Sequence, residues 1–173
     1  QHKDFDDWAA LGNSGWAFND VLPYFRKFEC FNGADSQFHG HHGELQVSEL
    51  RNSHPYCNAW LDAAKQYGLP RNSDFNAETT EGVGEYHLSI GSRWRSSSAS
   101  AFLKPVKHRT NLTIMTKAFT ERVLFRDKVA VGVEVLANGK RHKLFSESEV
   151  ILSAGSIQSP QILQVSGIGP APV

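Results

Sequence analysis

The sequence predicts an α+β fold, and three observations carry that reading. The apolar run Val150, Ile151, Leu152 shrinks to Ala154-Gly155 and leads into a short helix with Gly167 placed to end it, a strand-turn-helix unit of the α/β type. Val129, Val131, Val133 and Val135 alternate strictly, and the Asn138-Gly139 that follows is the strongest short hairpin signal a sequence offers. Two earlier stretches, around Leu22 to Phe28 and Tyr56 to Tyr67, repeat apolar residues at three- and four-residue spacing, as packed helices do.

Composition bounds the possibilities. The 173 residues are 40% hydrophobic and 21% charged, ordinary globular usage for about one domain. Eighteen basic residues balance eighteen acidic ones, so the electrostatic footprint of a nucleic-acid binder is missing. No apolar run reaches membrane-spanning length, and the opening QHKDFDDW has neither the basic end nor the apolar core of a signal peptide. Because Gln1 is not an initiator methionine, the chain is expected to begin inside a longer protein. Cys30 and Cys57 have no metal-ligand or CxxC spacing and are expected to be buried free thiols.

In chain order, Asp4 to Gly15 predicts a turn of helix and a loop. Asn19 or Asp20 then caps a helix that holds Pro23 in its first turn and buries a wide aromatic face of Leu22, Tyr24, Phe25, Phe28 and Phe31. A polar, Gly-rich loop follows with His39, His41 and His42; no Cys or carboxylate lies at ligand spacing, so no metal site is assigned. Leu45 and Val47 begin a short strand. Ser53-His54-Pro55 opens a helix with Tyr56, Trp60, Leu61, Ala64 and Tyr67 on one side and Gly68 and Pro70 as its stop. Gly68 to Gly84 is a long polar loop, of a length that is uncommon without a binding or gating role. Tyr86, Leu88 and Ile90 alternate with Glu85, His87 and Ser89, which predicts a strand with the second set wet. Arg95 to Pro105 reads as a Ser-capped helix stopped by Pro105. Leu112 to Thr116 is a predicted strand, and Val123 to Phe125 and Val129 to Val135 lie in further strands of a three-stranded meander that closes at Leu144 and Phe145, with turns at Asp127-Lys128 and Asn138-Gly139.

The last two dozen residues are where a ligand is expected. A buried strand over Val150 to Ala154 would leave Ser153 to Ser156 at its carboxyl end, the usual place for ligands in an open α/β sheet. Small side chains at Ser153, Ala154 and Gly155 admit close backbone approach. Ser159 is the expected N-cap of the following helix, with Pro160 at its first position and Ile162, Leu163 and Val165 on its apolar side.

GSIQSPQILQVSGIG, Gly155 to Gly169, resembles the second sequence signature of the glucose-methanol-choline (GMC) oxidoreductases, FAD enzymes that oxidise alcohols. DFDDWAALGNSGWAFNDVLPYFRKFE is similar to the family's D-x-W-x-x-L-G-N-x-G-W-x-x-x-D-V-L-P-Y-F-x-K-x-E run, FHGHHG contains its H-G-x-x-G segment, and the run from DFN through GVGEY to RSSSASAFLKP also resembles it. The resemblance covers the whole chain and is nearest to the choline-dehydrogenase-like members. It implies that residues 1–105 are mainly substrate-side helices and loops and that 106–173 hold flavin-domain strands and the signature. On the same ground, the meander is inserted between the penultimate strand of a Rossmann-like FAD-binding sheet, Leu112 to Thr116, and its last strand, Val150 to Ala154. The H-G-x-x-G segment carries no metal there.

The resemblance further implies FAD as cofactor, a small-molecule alcohol as substrate and hydride transfer from its CH–OH group to the flavin. In the family's T-x-x-x-V-x-x-V stretch, here Thr116 to Val123, a backbone contact to adenine falls at Thr120, where valine is usual; both are β-branched, so the departure matters little. Thr120, Ser153, Ala154 and Gly155 are therefore the expected cofactor-binding residues. A GxGxxG phosphate cradle is missing from the chain, and no histidine matches the family's catalytic motif, so no catalytic residue is assigned. Both are expected outside it, which makes the chain inactive by itself. Two alternatives stay open: a hydroxynitrile-lyase-like member, and a non-catalytic α/β binding module.

Overall fold

The computed structural model describes residues 1–169, which form two compact units, Gln1–Leu112 and Thr113 onward. In the first, α1 (His2–Ala10) and α2 (Phe18–Phe28) precede β1 (Glu29–Asn32) and β2 (Leu45–Ser48), a parallel pair in which Glu29 faces Leu45 and Asn32 faces Ser48. Helix α3 (Pro55–Gln66), a π-helical turn over Ala99–Leu103 and the short α4 (Lys104–Val106) complete this unit. The second unit is an antiparallel sheet in the order β3 (Ala118–Arg126), β4 (Val129–Ala137), β5 (Lys140–Phe145), with α5 (Gly155–Val165) packed on β3. No helix among the described residues is long and apolar enough to cross a membrane.

Several helix boundaries follow backbone capping rather than the expected residues. Helix α2 starts at Phe18 behind Ala17, and Asp20 supports it from the third helical position, its carboxylate accepting from the Ala17 N–H at 3.2 Å. Pro23 is thus an interior residue, not a first-turn one. The helix ends at Phe28, and Phe31 is a buried strand residue in β1. At α3 the expectation holds: His54 is the N-cap, its Nδ1 accepts from Tyr56 N–H, and Pro55 stands first. Ser97 and Ser100 exchange side-chain and backbone hydrogen bonds across the start of the π-helical turn, and the helix continues through Pro105 instead of stopping there.

The meander keeps both predicted turns, with Asp127 and Asn138 at positive φ. Leu112 to Thr116 is not a strand; β3 begins at Ala118, where its residues gain Ala137 and Leu136 as partners. Val150 to Ala154 is likewise outside any strand, and Ile151 is 75% exposed. An all-apolar central strand needs neighbours on both edges, and no described segment of this chain supplies them. The expected cap of the final helix also moves: α5 starts at Gly155 behind Ala154, so Ser159 and Pro160 are interior, while Gly167 closes it at positive φ as predicted.

Burial is sparse. Val21, Phe31, Leu61, Val83 and Ala101 are buried in the first unit, and Val123, Val135 and Ala137 in the second. Of the apolar side predicted for α3 only Leu61 is buried, while Tyr56, Trp60 and Tyr67 are exposed. Cys30 is half-buried and Cys57 exposed; both are free thiols, but Cys57 is not the buried one expected.

Candidate functional site

The glycines of the His39-Gly40-x-x-Gly43 segment pull the 33–44 loop onto the end of α2. A Cβ on Gly40 would stand 1.8 Å from the Arg26 carbonyl oxygen, and one on Gly43 would stand 2.1 Å from the Phe28 carbonyl carbon. Only hydrogen side chains permit that approach. The loop is then tied to β1 by Phe31 N–H to Gly40 oxygen at 2.7 Å and Gly43 N–H to Glu29 oxygen at 2.9 Å. His39 is thereby driven inside: at 2% exposure it is the most buried large side chain described.

Both ring nitrogens of His39 meet carboxylates. Nδ1 lies 2.9 Å from Glu29 Oε2 and Nε2 lies 2.7 Å from Asp74 Oδ2. An ionised carboxylate only accepts, so a carboxylate at each nitrogen favours the ring that donates from both, the imidazolium. Burial alone would lower its pKa; the bonds to Asp74 and Glu29 outweigh that and hold it above the usual histidine value. Phe31 stacks on the ring with centroids 4.1 Å apart, and also meets His87 at 4.6 Å.

Asp74 is presented by the 68–84 loop, which is organised around the buried Asn72. Its Nδ2 donates to the Thr79 and Glu81 carbonyls at 2.8 and 3.0 Å, and its Oδ1 accepts from Asp74 N–H at 2.8 Å. His87 comes from the segment expected to be a strand, which pairs only at isolated bridges, Ser48 with Leu88 and Ile90 with Arg95. At one pair its facing is the reverse of the prediction, the His87 side chain being 7% exposed and Tyr86 71%, whereas Leu88 is half-buried and Ser89 exposed as expected. The reason is tertiary, because the Ser48–Leu88 bridge turns His87 toward Phe31 and His39.

His39, Asp74 and His87 bring potential ligand atoms within 4.8 Å of one another, a set that could be considered for a metal ion. The 2.7 Å between His39 and Asp74 is a hydrogen-bond distance, whereas two ligand atoms on a tetrahedral zinc would stand about 3.3 Å apart. That distance suits a shared hydrogen bond rather than two ligands on one zinc ion. Of the other histidines in the loop, His41 bonds the Phe31 carbonyl through Nδ1 and His42 is exposed. Beside the cluster opens a cavity of about 410 Å³ lined by Phe18, Leu22, Phe25, Phe28, Phe75 and His87 among others. The aromatic face of α2 thus borders this space instead of closing into core.

In the second unit, Thr120 lies on β3 opposite Val135, and the register slips between Thr120 and Arg122. This bulge leaves the Glu121 main chain outside the ladder. Arg141 takes the Glu121 carboxylate through two bonds of 2.7 and 3.1 Å and holds its pKa below the usual carboxylate range, so the bulge offers only backbone. Ser153 and Gly155 are exposed and Ala154 half-buried at the start of α5; Gly155 has φ of 89° with nothing near its Cβ position. Ala154 N–H is taken by Ser159 Oγ at 3.0 Å. The two stretches lie on elements that touch, and the tie between them is at the far end of α5, where Ser166 Oγ accepts from Val123 N–H at 2.8 Å. No hydrogen bond joins Thr120 to residues 153–155 among the described residues.

A family model for GMC oxidoreductase matches residues 1–173, the entire chain. The chain belongs to the GMC oxidoreductase family. It is 42% identical over 171 residues to the mitochondrial choline dehydrogenase of Homo sapiens and 37% identical over 172 residues to the oxygen-dependent choline dehydrogenase of Photobacterium profundum. In each case 98% of this chain is covered, but only 28% and 30% of the relative. Among solved structures it is similar to an FAD-dependent oxidoreductase from Chaetomium thermophilum, with TM-score 0.86, 32% identity and coverage of 98% of this chain and 32% of that one. A pyridoxine 4-oxidase from Mesorbium loti matches with TM-score 0.83, 30% identity and coverage of 98% and 34%.

With the GMC family established, the His39 cluster takes on meaning. Glu29 closes the F-x-K-x-E run, His39 opens H-G-x-x-G, and Asp74 opens D-F-N, so three of the stretches that resemble the family meet on one imidazole. Spacing along the chain could not reveal this, because the partners are 10 and 35 positions away.

Proposed function

We propose that the chain is part of a flavin-dependent oxidoreductase that takes hydride from the CH–OH group of a small alcohol, choline or a related molecule, onto FAD. The observation that carries this reading is the whole-length family match together with 37–42% identity to choline dehydrogenases. When bound, FAD supplies the hydride acceptor. This chain's residues would hold its adenosine end: the unladdered backbone beside Thr120 fits a flat ring contacted through main-chain groups, and the exposed, side-chain-poor turn Ser153-Ala154-Gly155 fits close approach. Residues 1–105 would border the substrate side and 106–173 the flavin side.

The exposed Ile151, Ile157 and Val165 support a place for Val150 to Ala154 as the last strand of a Rossmann-like sheet completed by other parts of the protein. The test uses the full-length protein. Purified enzyme should carry oxidised-flavin absorbance that bleaches anaerobically with choline or another small alcohol. A preparation that binds FAD yet is bleached by no alcohol would overturn the oxidoreductase reading, and one that binds no FAD would overturn the cofactor assignment as well.

A further inference from the structure

His39 is held from three directions. Glu29 on β1 engages Nδ1 and also accepts from Gly40 N–H at 3.0 Å; Asp74, on the 68–84 loop, engages Nε2; His87 faces the ring at 5.6 Å between centroids, its Nδ1 3.7 Å from Asp74 Oδ1. On α2, Arg26 Nε donates to the His39 carbonyl at 3.2 Å and so fixes the backbone, while His41 is turned away onto the Phe31 carbonyl. Of these contacts, the Nε2 proton is the one that bonds the 68–84 loop to the His39 ring.

That loop has its own internal order. Asn72 braces it across Thr79 and Glu81, the Asn72 N–H bonds the Val83 carbonyl, and Asp74 Oδ1 accepts from Asn76 N–H at 2.9 Å. Phe75, Asn76 and Ala77, next to Asp74, form part of the wall of the 410 Å³ aromatic cavity. Outside itself the loop is held by the Asp74–His39 bond, by the Gln1 amide on the Thr80 hydroxyl, by Arg71 on Glu85 at 3.5 Å and by Phe75 against Tyr86; only the bond at His39 uses a fully buried side chain, so its loss frees the middle of the loop.

We propose that His39 is a proton-operated latch: as imidazolium it pins the 68–84 loop over the aromatic cavity, and as neutral imidazole it releases the loop and opens the cavity. Loss of the proton leaves one ring nitrogen facing a carboxylate with lone pair against lone pair. The two acceptors then repel, and Asp74, at 21% exposure against 15% for Glu29, is the partner nearer to water. The sign follows. A histidine whose pKa is raised on folding stabilises the closed loop fully below its unfolded value, and that stabilisation is lost as pH rises through the folded value.

The test is hydrogen exchange of backbone amides 72–83 in the full-length protein from about pH 6 to about pH 10, corrected for intrinsic rates. Protection should fall along a single-proton curve on the alkaline side, while protection of β1 stays. Asp74→Asn removes the charge and can turn either its amide oxygen or its NH2 to Nε2, so the transition should move down by about one pH unit or more, or vanish. His39→Gln should show an open loop at every pH. The variants need only fold, and flavin content reports that separately. Protection in the wild type that does not change with pH, or a transition that stays in place in Asp74→Asn, overturns the latch.

Discussion

Nε2 of His39 lies 2.7 Å from Oδ2 of Asp74, although 35 positions separate the two residues. The contact joins a loop packed by glycine against the end of α2 to a second loop braced by its own asparagine. Among the described residues it is the one hydrogen bond between these two loops, so the bracing of each loop can be tested separately.

Asn72→Ala removes the brace without touching His39. The buried amide serves two carbonyls and one N–H, and leaving such groups unpaired costs about 1–3 kcal/mol. Chemical denaturation of the full-length protein should show that loss, and limited proteolysis should cut between residues 72 and 83. Unchanged stability with an intact loop would contradict the role given to Asn72.

Gly40→Ala tests the packing that buries His39. Its methyl would sit 1.8 Å from the Arg26 oxygen, where backbone rather than a movable side chain must yield. The cost should be at least about 3 kcal/mol, at the upper end for overpacking. A soluble variant melting at the wild-type temperature would show that the loop is free to lift away.

Ser166→Ala separates α5 from β3. Val123 is buried, and its N–H loses the hydroxyl that accepts from it, so stability should fall by about 1–3 kcal/mol. Equilibrium unfolding in urea measures it; no change would mean that the N–H finds another acceptor.

Thr120 distinguishes a backbone contact to FAD from a side-chain one. Thr120→Val keeps the strand propensity and the N–H, so flavin affinity should hardly change. Thr120→Pro removes the N–H and should weaken binding by about 1 kcal/mol or more, provided circular dichroism of the apoprotein stays close to wild type. Titration of FAD into refolded apoprotein is the measurement. Equal weakening by Val and Pro would make the hydroxyl the contact.

Residues 1–173 produced alone should bind a hydrophobic dye and unfold without a sharp transition, because Trp8, Tyr56, Trp60, Trp94, Ile151 and Ile157 are each about half exposed or more. A cooperative melt of a monomer would contradict this.

What the sequence determined by itself is local or motif-borne. Strict alternation from Val129 to Val135 with Asn138-Gly139 fixed the meander, because a hairpin is decided by neighbours in sequence. Pro55 behind His54 set the start of α3 for the same reason, and fifteen residues from Gly155 to Gly169 were enough to point to the family. Tertiary structure decided the rest. Alternation from Glu85 to Ile90 could not say which set faces inward, since a strand that pairs at one bridge takes its facing from what it packs on; Phe31 and His39 turned His87 in. Val150 to Leu152 reads as a buried strand by hydropathy, yet pairing needs neighbours that periodicity cannot supply. The surroundings of His39 were likewise invisible: a histidine in a polar loop becomes buried with its pKa raised only when chain folding brings one carboxylate to each nitrogen.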